Sequence, residues 1–168
     1  MKKRICFLLV LMVVTGCVAG SALAYTQPGM NTVTVYNSSY TVSVVVGLTY
    51  VTLSMGSGNG AINAIKLTEV TCIPRIHDPA FRLYSLSAEV QAFGPHYTAA
   101  GSKAAPNGSI SPRLNITFPK AGSQYILRTG FNYFVSRTGN SYTAINLTVV
   151  FQRNSNGQLY SYSTQLKP

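Results

Sequence analysis

Thr143-Ala144-Ile145-Asn146-Leu147-Thr148-Val149-Val150-Phe151 sets Thr143, Ile145, Leu147, Val149 and Phe151 on one parity, and Ala144, Asn146, Thr148 and Val150 on the other. Side chains of an extended strand point alternately to opposite faces, so this period of two describes a strand with one buried face. Asn154-Ser155-Asn156-Gly157 follows as a turn, and Leu159 to Leu166 supplies a second extended run. The two runs are expected to pair as a hairpin.

The same signature recurs upstream. Tyr84, Leu86, Ala88, Val90 and Ala92 share one face of a run whose other face is Ser85, Ser87, Glu89 and Gln91. Leu114, Ile116 and Phe118 alternate, as do Phe131, Tyr133 and Val135. Near the start, Val33 and Val35 lead through Asn37-Ser38-Ser39 into Tyr40, Val42, Val44 and Val46, which reads as another hairpin. Val51, Leu53 and Met55 continue on the opposite parity, which implies a phase change near Tyr50. Gly56 to Gly60 reads as a turn, Ile65, Leu67 and Thr71 as part of a strand ending near Pro74, and Gly94 to Pro112 as a long excursion poor in large apolar residues. No amphipathic helix and no fixed-period repeat appears. About eight to ten short strands punctuated by turns predict an all-β chain. The expected architecture is an antiparallel β-sandwich, immunoglobulin-like or jelly-roll-like, with a small β-barrel as second choice.

The first 24 residues are of a different kind. Met1-Lys2-Lys3-Arg4 is cationic, Ile5 to Val14 is apolar, and Ala22 and Ala24 frame a small-residue cleavage site. This is the order of a secretory signal, and the apolar run is shorter than the roughly 20 residues a spanning helix needs. The expectation is a removed signal at 1–24, bacterial in style, and a single secreted or cell-surface domain at 25–168. Val14-Thr15-Gly16-Cys17 offers an alternative cut in front of Cys17, which would leave a lipoprotein anchored through its acylated sulfur. Cys17 is followed by Val18-Ala19-Gly20 rather than by polar residues, which favours cleavage after Ala24.

Removing Lys2, Lys3 and Arg4 brings the formal charge from +10 to +7. Only 10% of the chain is charged, well under the usual quarter, so its polar positions are filled by other residue types. Cys72 is the one cysteine beyond the signal, which rules out an internal disulfide framework and suits a small buried strand residue.

Chemistry is sparse. Glu69, Asp78 and Glu89 are the only acids, and His77 and His96 the only histidines. Glu69 and Glu89 fall at solvent-facing strand positions, which disfavours paired-carboxylate hydrolysis. Asp78 is expected to form a loop salt bridge with Arg75 or Arg82. Cys72, His77 and His96 match no compact zinc spacing, so neither metal nor cofactor is expected, and no catalytic residue is assigned. The runner-up is a secreted hydrolase whose site is assembled from distant loops.

The leading expectation is a non-catalytic module for binding, adhesion or assembly. Its basic excess suits an anionic polysaccharide, cell-wall polymer or membrane surface, with Lys103, Arg113 and Lys120 near turns as contact residues. Eleven tyrosines and no tryptophan add a second hint, with Tyr160 and Tyr162 on one face of the last strand. Nucleic acid is not expected, because the chain is exported. Self-assembly through a neighbour's strand would need a donor segment separable from the fold, and none is visible in the sequence.

Overall fold

The computed structural model describes residues 24–56, 61–104 and 111–168. The expected export signal with Cys17, the turn at 57–60 and the middle of the Gly94–Pro112 excursion lie outside the described residues.

The C-terminal hairpin forms as its alternation implies. Strand β10 (Tyr142–Arg153) pairs antiparallel with β11 (Leu159–Leu166), and its other edge pairs with β4 (Phe81–Phe93). β7 (Arg113–Thr117) closes a four-stranded sheet in the order β11-β10-β4-β7. The second sheet begins as a meander of β1 (Tyr25–Tyr36), β2 (Val42–Met55) and β3 (Ile62–Ile76). Along the far edge of β3 lie β8 (Tyr125–Arg128) and β9 (Phe134–Ser136), end to end, and β9 leads on to β5 (His96–Tyr97) and β6 (Lys103–Ala104). The two sheets pack face to face as a β-sandwich, and no barrel closes.

The core between the sheets is built by parity. Val42, Val44, Val46 and Leu48 from β2, and Leu67, Val70 and Cys72 from β3, meet Leu86, Ala88 and Val90 from β4 and Ile145, Leu147 and Val149 from β10. Removing such side chains from water, at about 25 cal/mol per Å² of apolar area, is the main force holding the sheets together. Cys72 sits inside this core, where burial pushes its thiol from 9.0 up to about 12. It is a packing residue.

Two bulges correct the reading of phase. β2 keeps its parity throughout, because Tyr50 and Thr52 pair with Leu67 and Ile65 on the core-facing side. The extra residue is Thr68 on β3, at the register shift opposite Thr49 and Tyr50. Val51, Leu53 and Met55 change face only in sequence: they pack with Ala64 and Phe134 in a small second cluster. On β4 the shift between Val150 and Phe151 leaves Tyr84 out of the ladder and turns Leu83 inward in its place. Tyr84 instead lies edge-on to Phe118, with centroids 5.2 Å apart.

Pro74 does not end β3. Its carbonyl oxygen accepts from Gly122 N at 2.8 Å, so its backbone polar groups face away from β2 and the missing N–H costs no ladder bond there. Asp78 forms no salt bridge with Arg75 or Arg82. Its Oδ1 accepts from Ala80 N at 2.9 Å and closes the β3–β4 turn, while Arg82 donates to Gln152 Oε1 at 2.6 and 2.9 Å.

Candidate functional site

The five residues singled out for surface binding do not converge. Lys103 lies on β6 at one end of the larger sheet, and Lys120 in the turn between β7 and β8. Arg113 lies on β7, at the opposite edge of the smaller sheet from Tyr160 and Tyr162 on β11. Arg113 is also engaged, since its Nη2 lies 2.7 Å from Glu89 Oε1. Tyr160 and Tyr162 pair with Phe151 and Val149, which puts them on the core-facing side of β11. Tyr160 stacks on Phe151 at 5.6 Å and lies edge-on to Phe81 at 5.7 Å, so its ring caps the core.

A different group of residues does converge, at one end of the sandwich. Ile65 from β3, Tyr142 and Thr143 from the start of β10, Ser141, Arg137 and the Lys167–Pro168 segment after β11 line a cleft of about 280 Å³. Local bonding explains why these distant segments meet. As the chain leaves β9, Ser136 N donates to Pro95 O at 3.0 Å and Arg137 N to Asn63 O at 2.9 Å, which fixes where the arginine starts. Thr138 N donates to Ser136 Oγ, and Ser141 N to Thr138 O, so the backbone reverses at once into β10. Gly94 has φ +116° and packs directly on Ser141, where a Cβ would collide with that side chain. The approach of β4's end to this turn requires glycine.

Two cations face the cleft. Arg137 Nη2 donates to Pro168 O at 3.4 Å, and Lys167 Nζ lies 5.2 Å from the centre of the Tyr142 ring. Tyr142 also stacks on Phe93 at 5.8 Å, so the ring that supports the ammonium is itself braced. No Asp or Glu side chain lines the cleft. Among the described residues the ion pairs are Arg113–Glu89 and Arg128–Glu69, at 2.7 and 3.9 Å, so neither Arg137 nor Lys167 has an acidic side chain within reach. The third feature is Thr143, 4% exposed, whose Oγ1 is buried without a hydrogen-bond partner. Leaving a buried hydroxyl unpaired costs about 1–3 kcal/mol. A guanidinium fork and an ammonium are the donor set for an oxyanion, and the unused hydroxyl, which has no exposed surface, would join them only once the Thr143 side chain turns toward the cleft. The cleft is slightly smaller than the roughly 300–1,000 Å³ of drug-sized pockets, which suits one acidic group and its immediate substituent.

A second polar constellation lies at the other end of β2. Ser43 Oγ and His77 Nε2 are 2.8 Å apart, a nucleophile-to-base distance, and the His77 ring stacks on Tyr36 at 5.9 Å. Ser43 is only 2% exposed, however, so a reacting carbon has no approach to its hydroxyl in this conformation. Asp78, next to His77, is occupied with Ala80. The remaining histidine, His96, is buried on β5 edge-on to Tyr133 at 4.4 Å, and burial lowers its pKa.

The sequence does not single out Arg137 or Lys167 from the other scattered cations, and its alternation makes Thr143 a core-parity strand residue. No local pattern joins the three. No protein-family model matches the chain, and no curated protein or solved structure matches it significantly.

Proposed function

We propose that this domain is an exported binding module that takes an acidic group of an envelope or extracellular polymer, such as the carboxylate of a uronic acid or a phosphate or sulfate ester, into the Arg137–Lys167–Thr143 cleft. The observation that carries this reading is the pairing of two cations without acidic side-chain partners with a buried hydroxyl lacking any partner, at one cleft. A single acidic group bound in so shallow a site is held weakly, on the order of millimolar, about 4 kcal/mol. A polymer presenting many such groups to many copies of the domain is retained far longer through effective concentration. Charge attraction also speeds encounter and fades as salt rises.

The test is retention of the chain from Tyr25 on immobilised polygalacturonate, on a phosphate-rich polymer and on an uncharged polysaccharide, at about 50 and 500 mM salt, a range over which screening tightens several-fold. The expected result is retention on one or both acidic polymers, lost on the neutral one and lost in Arg137→Gln/Lys167→Gln. The triple variant Lys103→Gln/Arg113→Gln/Lys120→Gln keeps most of its retention. The reverse ranking of the two variants would move the binding to a diffuse basic rim, and equal retention on all three matrices would end the electrostatic reading.

A second reading, hydrolysis, draws support from the Ser43–His77 hydrogen bond. It requires Tyr36 and the β1–β2 turn to move away from Ser43 before any substrate enters. Reaction of the folded protein with a serine-directed organophosphorus probe, abolished in Ser43→Ala, would favour it.

A further inference from the structure

Among the described residues, β1 is a long edge strand with one side of its backbone unoccupied. Its register against β2 is continuous from Tyr25↔Ser54 to Tyr36↔Ser43, without a bulge. Asn37 N donates to Val42 O just beyond the strand, which sets the phase of the ladder. In an antiparallel pair alternate residues turn their N–H and C=O toward the partner. Odd-numbered residues of β1 therefore bond to β2, and Met30, Thr32, Thr34 and Tyr36 point theirs outward. Pro28 falls on the outward parity, where its lack of an N–H costs β2 nothing. Natural edges of this length are usually blunted by charge, bulges or brevity. β7, at an edge of the smaller sheet, is short and carries Arg113, whereas Tyr25–Tyr36 holds no charged residue in a chain with a formal charge of +10. Met30 is 75% exposed, Tyr36 44% and Val33 36%. Of the side chains on β1, Val35 packs against the core. The strand is thus an unblunted edge that stays in its own sheet, not a donor segment separable from the fold.

We propose that β1 pairs antiparallel with β1 of a second copy of this chain, about a two-fold axis at Val33, and joins the two larger sheets into one. The register follows from the backbone. Pairing Met30 with Tyr36 and Thr32 with Thr34 of the second copy opposes residues whose polar groups all point outward, and it stops short of Pro28. The side chains agree. Met30 and Tyr36, both on the outer face, cover one another, Thr32 meets Thr34, and Val33 meets its own counterpart where the core opens at the rim. The other long edge, β11, does not offer this match. Its Tyr160 and Tyr162 are already packed on the core, and Ser161, Ser163 and Gln165 face out. A two-strand contact of this kind falls below the roughly 1,200–2,000 Å² of a standard interface, so the dimer is weak and concentration-dependent.

Sedimentation of the chain from Tyr25 tests this, with three variants. The weight-average mass is expected to rise toward twice the single-copy value as concentration increases into the range of about 100 μM, typical of weak complexes. Thr34→Pro removes an N–H that only the second copy uses, so it should abolish the rise and leave the thermal midpoint nearly unchanged. Val33→Cys places a thiol opposite itself and should form a disulfide-linked dimer under mild oxidation, while the native Cys72 stays buried. Asn31→Cys, which faces Val35 of the second copy, should not. A constant single-copy mass at every concentration overturns the proposal. So does linkage through Asn31→Cys with none through Val33→Cys. Because the cysteine variants read the register without a backbone change, a Thr34→Pro chain that fails to fold leaves the test intact.

Discussion

Thr143→Val separates what the cleft contributes to stability from what it contributes to binding. Valine keeps the β-branched shape that suits the start of β10 and replaces only Oγ1, so the core contacts of the remaining methyl are retained. Thr143 is 4% exposed and its hydroxyl has no partner, so the native side chain carries an unpaired polar group with a penalty of about 1–3 kcal/mol. Removing the hydroxyl should therefore stabilise the ligand-free protein by about 1–2 kcal/mol, read as a higher urea midpoint at unchanged slope and a melting temperature raised by about 2–4 °C per kcal/mol. With an acidic ligand present the gap should close. A hydrogen bond to a charged group contributes about 1.5–3 kcal/mol, so the valine variant should bind about 10- to 100-fold more weakly. At ten times the dissociation constant the native protein gains about 1.4 kcal/mol that the variant does not. The measurement is urea unfolding of both proteins with and without oligogalacturonate. A valine variant destabilised by 1 kcal/mol or more in the absence of ligand would show that the hydroxyl is already satisfied, and the claim that it awaits a ligand would fall.

Leu147→Asp should unfold the domain or cost most of the roughly 5–15 kcal/mol available to a fold of this size, because Leu147 is fully buried in the core between the sheets, flanked in its own sheet by Ala88 and Thr164. Asn146→Asp, one residue away on the outer face, keeps its bond from Gln165 but opposes Glu89 across the ladder, so chemical denaturation should show a loss under about 1 kcal/mol. Equal losses would mean that the faces are misassigned. His96 is held neutral by burial, so its folded pKa lies below its unfolded one. Its share of stability is complete above the unfolded value near 6.5 and is lost as pH falls through it, and unfolding curves between pH 7.5 and 5 should flatten in His96→Phe. Cys72, with its thiol raised to about 12, should resist Ellman's reagent at pH 8 until urea unfolds the chain. Fast labelling of the folded protein would place it outside the core.

How far the sequence could be read depended on whether a feature was periodic or assembled. Ile145, Leu147 and Val149 repeat a single local rule, and the rule holds wherever the ladder is regular, as it does for Leu86, Ala88 and Val90. It failed by one residue at Tyr84, and at Tyr50 it located the irregularity but not the strand that carries it, because a bulge shows only in the partner strand: Val150 skips past Tyr84, and Thr68 rather than Tyr50 is the extra residue. Pro74 was read as a stop because a proline's cost depends on which edge its nitrogen faces, a fact of topology. Asp78 was assigned to an arginine by charge alone, whereas the nearer donor was the backbone N–H two residues ahead. Lys103, Arg113 and Lys120 share a place near turns, but the fold puts Lys103 and Arg113 on different sheets and Lys120 in the turn between β7 and β8. The cleft gathers residues 65, 137, 141–143 and 167, which no window joins.

The cleft and the free edge lie apart, and their separation has a mechanical consequence. Ile65 is opposite Thr52 on β2 and hence opposite Gln27 on β1, so β2 intervenes between the cleft and the edge strand. The proposed pairing uses Met30 to Tyr36, further along. A copy seated on β1 therefore does not cover Arg137, Lys167 or Thr143, and a dimer about Val33 presents two clefts. Dimerisation then needs no change in the cleft to strengthen attachment, because the second acidic group of one polymer binds at an effective concentration set by the chain between them, of order millimolar for a short flexible span. Single-group affinity on the order of millimolar, inadequate alone, becomes sufficient when two clefts engage one polymer. The two proposals predict different losses. Thr34→Pro should leave the affinity for a monomeric acidic sugar unchanged and reduce only retention on the polymer, whereas Arg137→Gln/Lys167→Gln should abolish both. If Thr34→Pro weakened the monomeric sugar as well, the edge and the cleft would be coupled through β2, and their mechanical independence would be wrong.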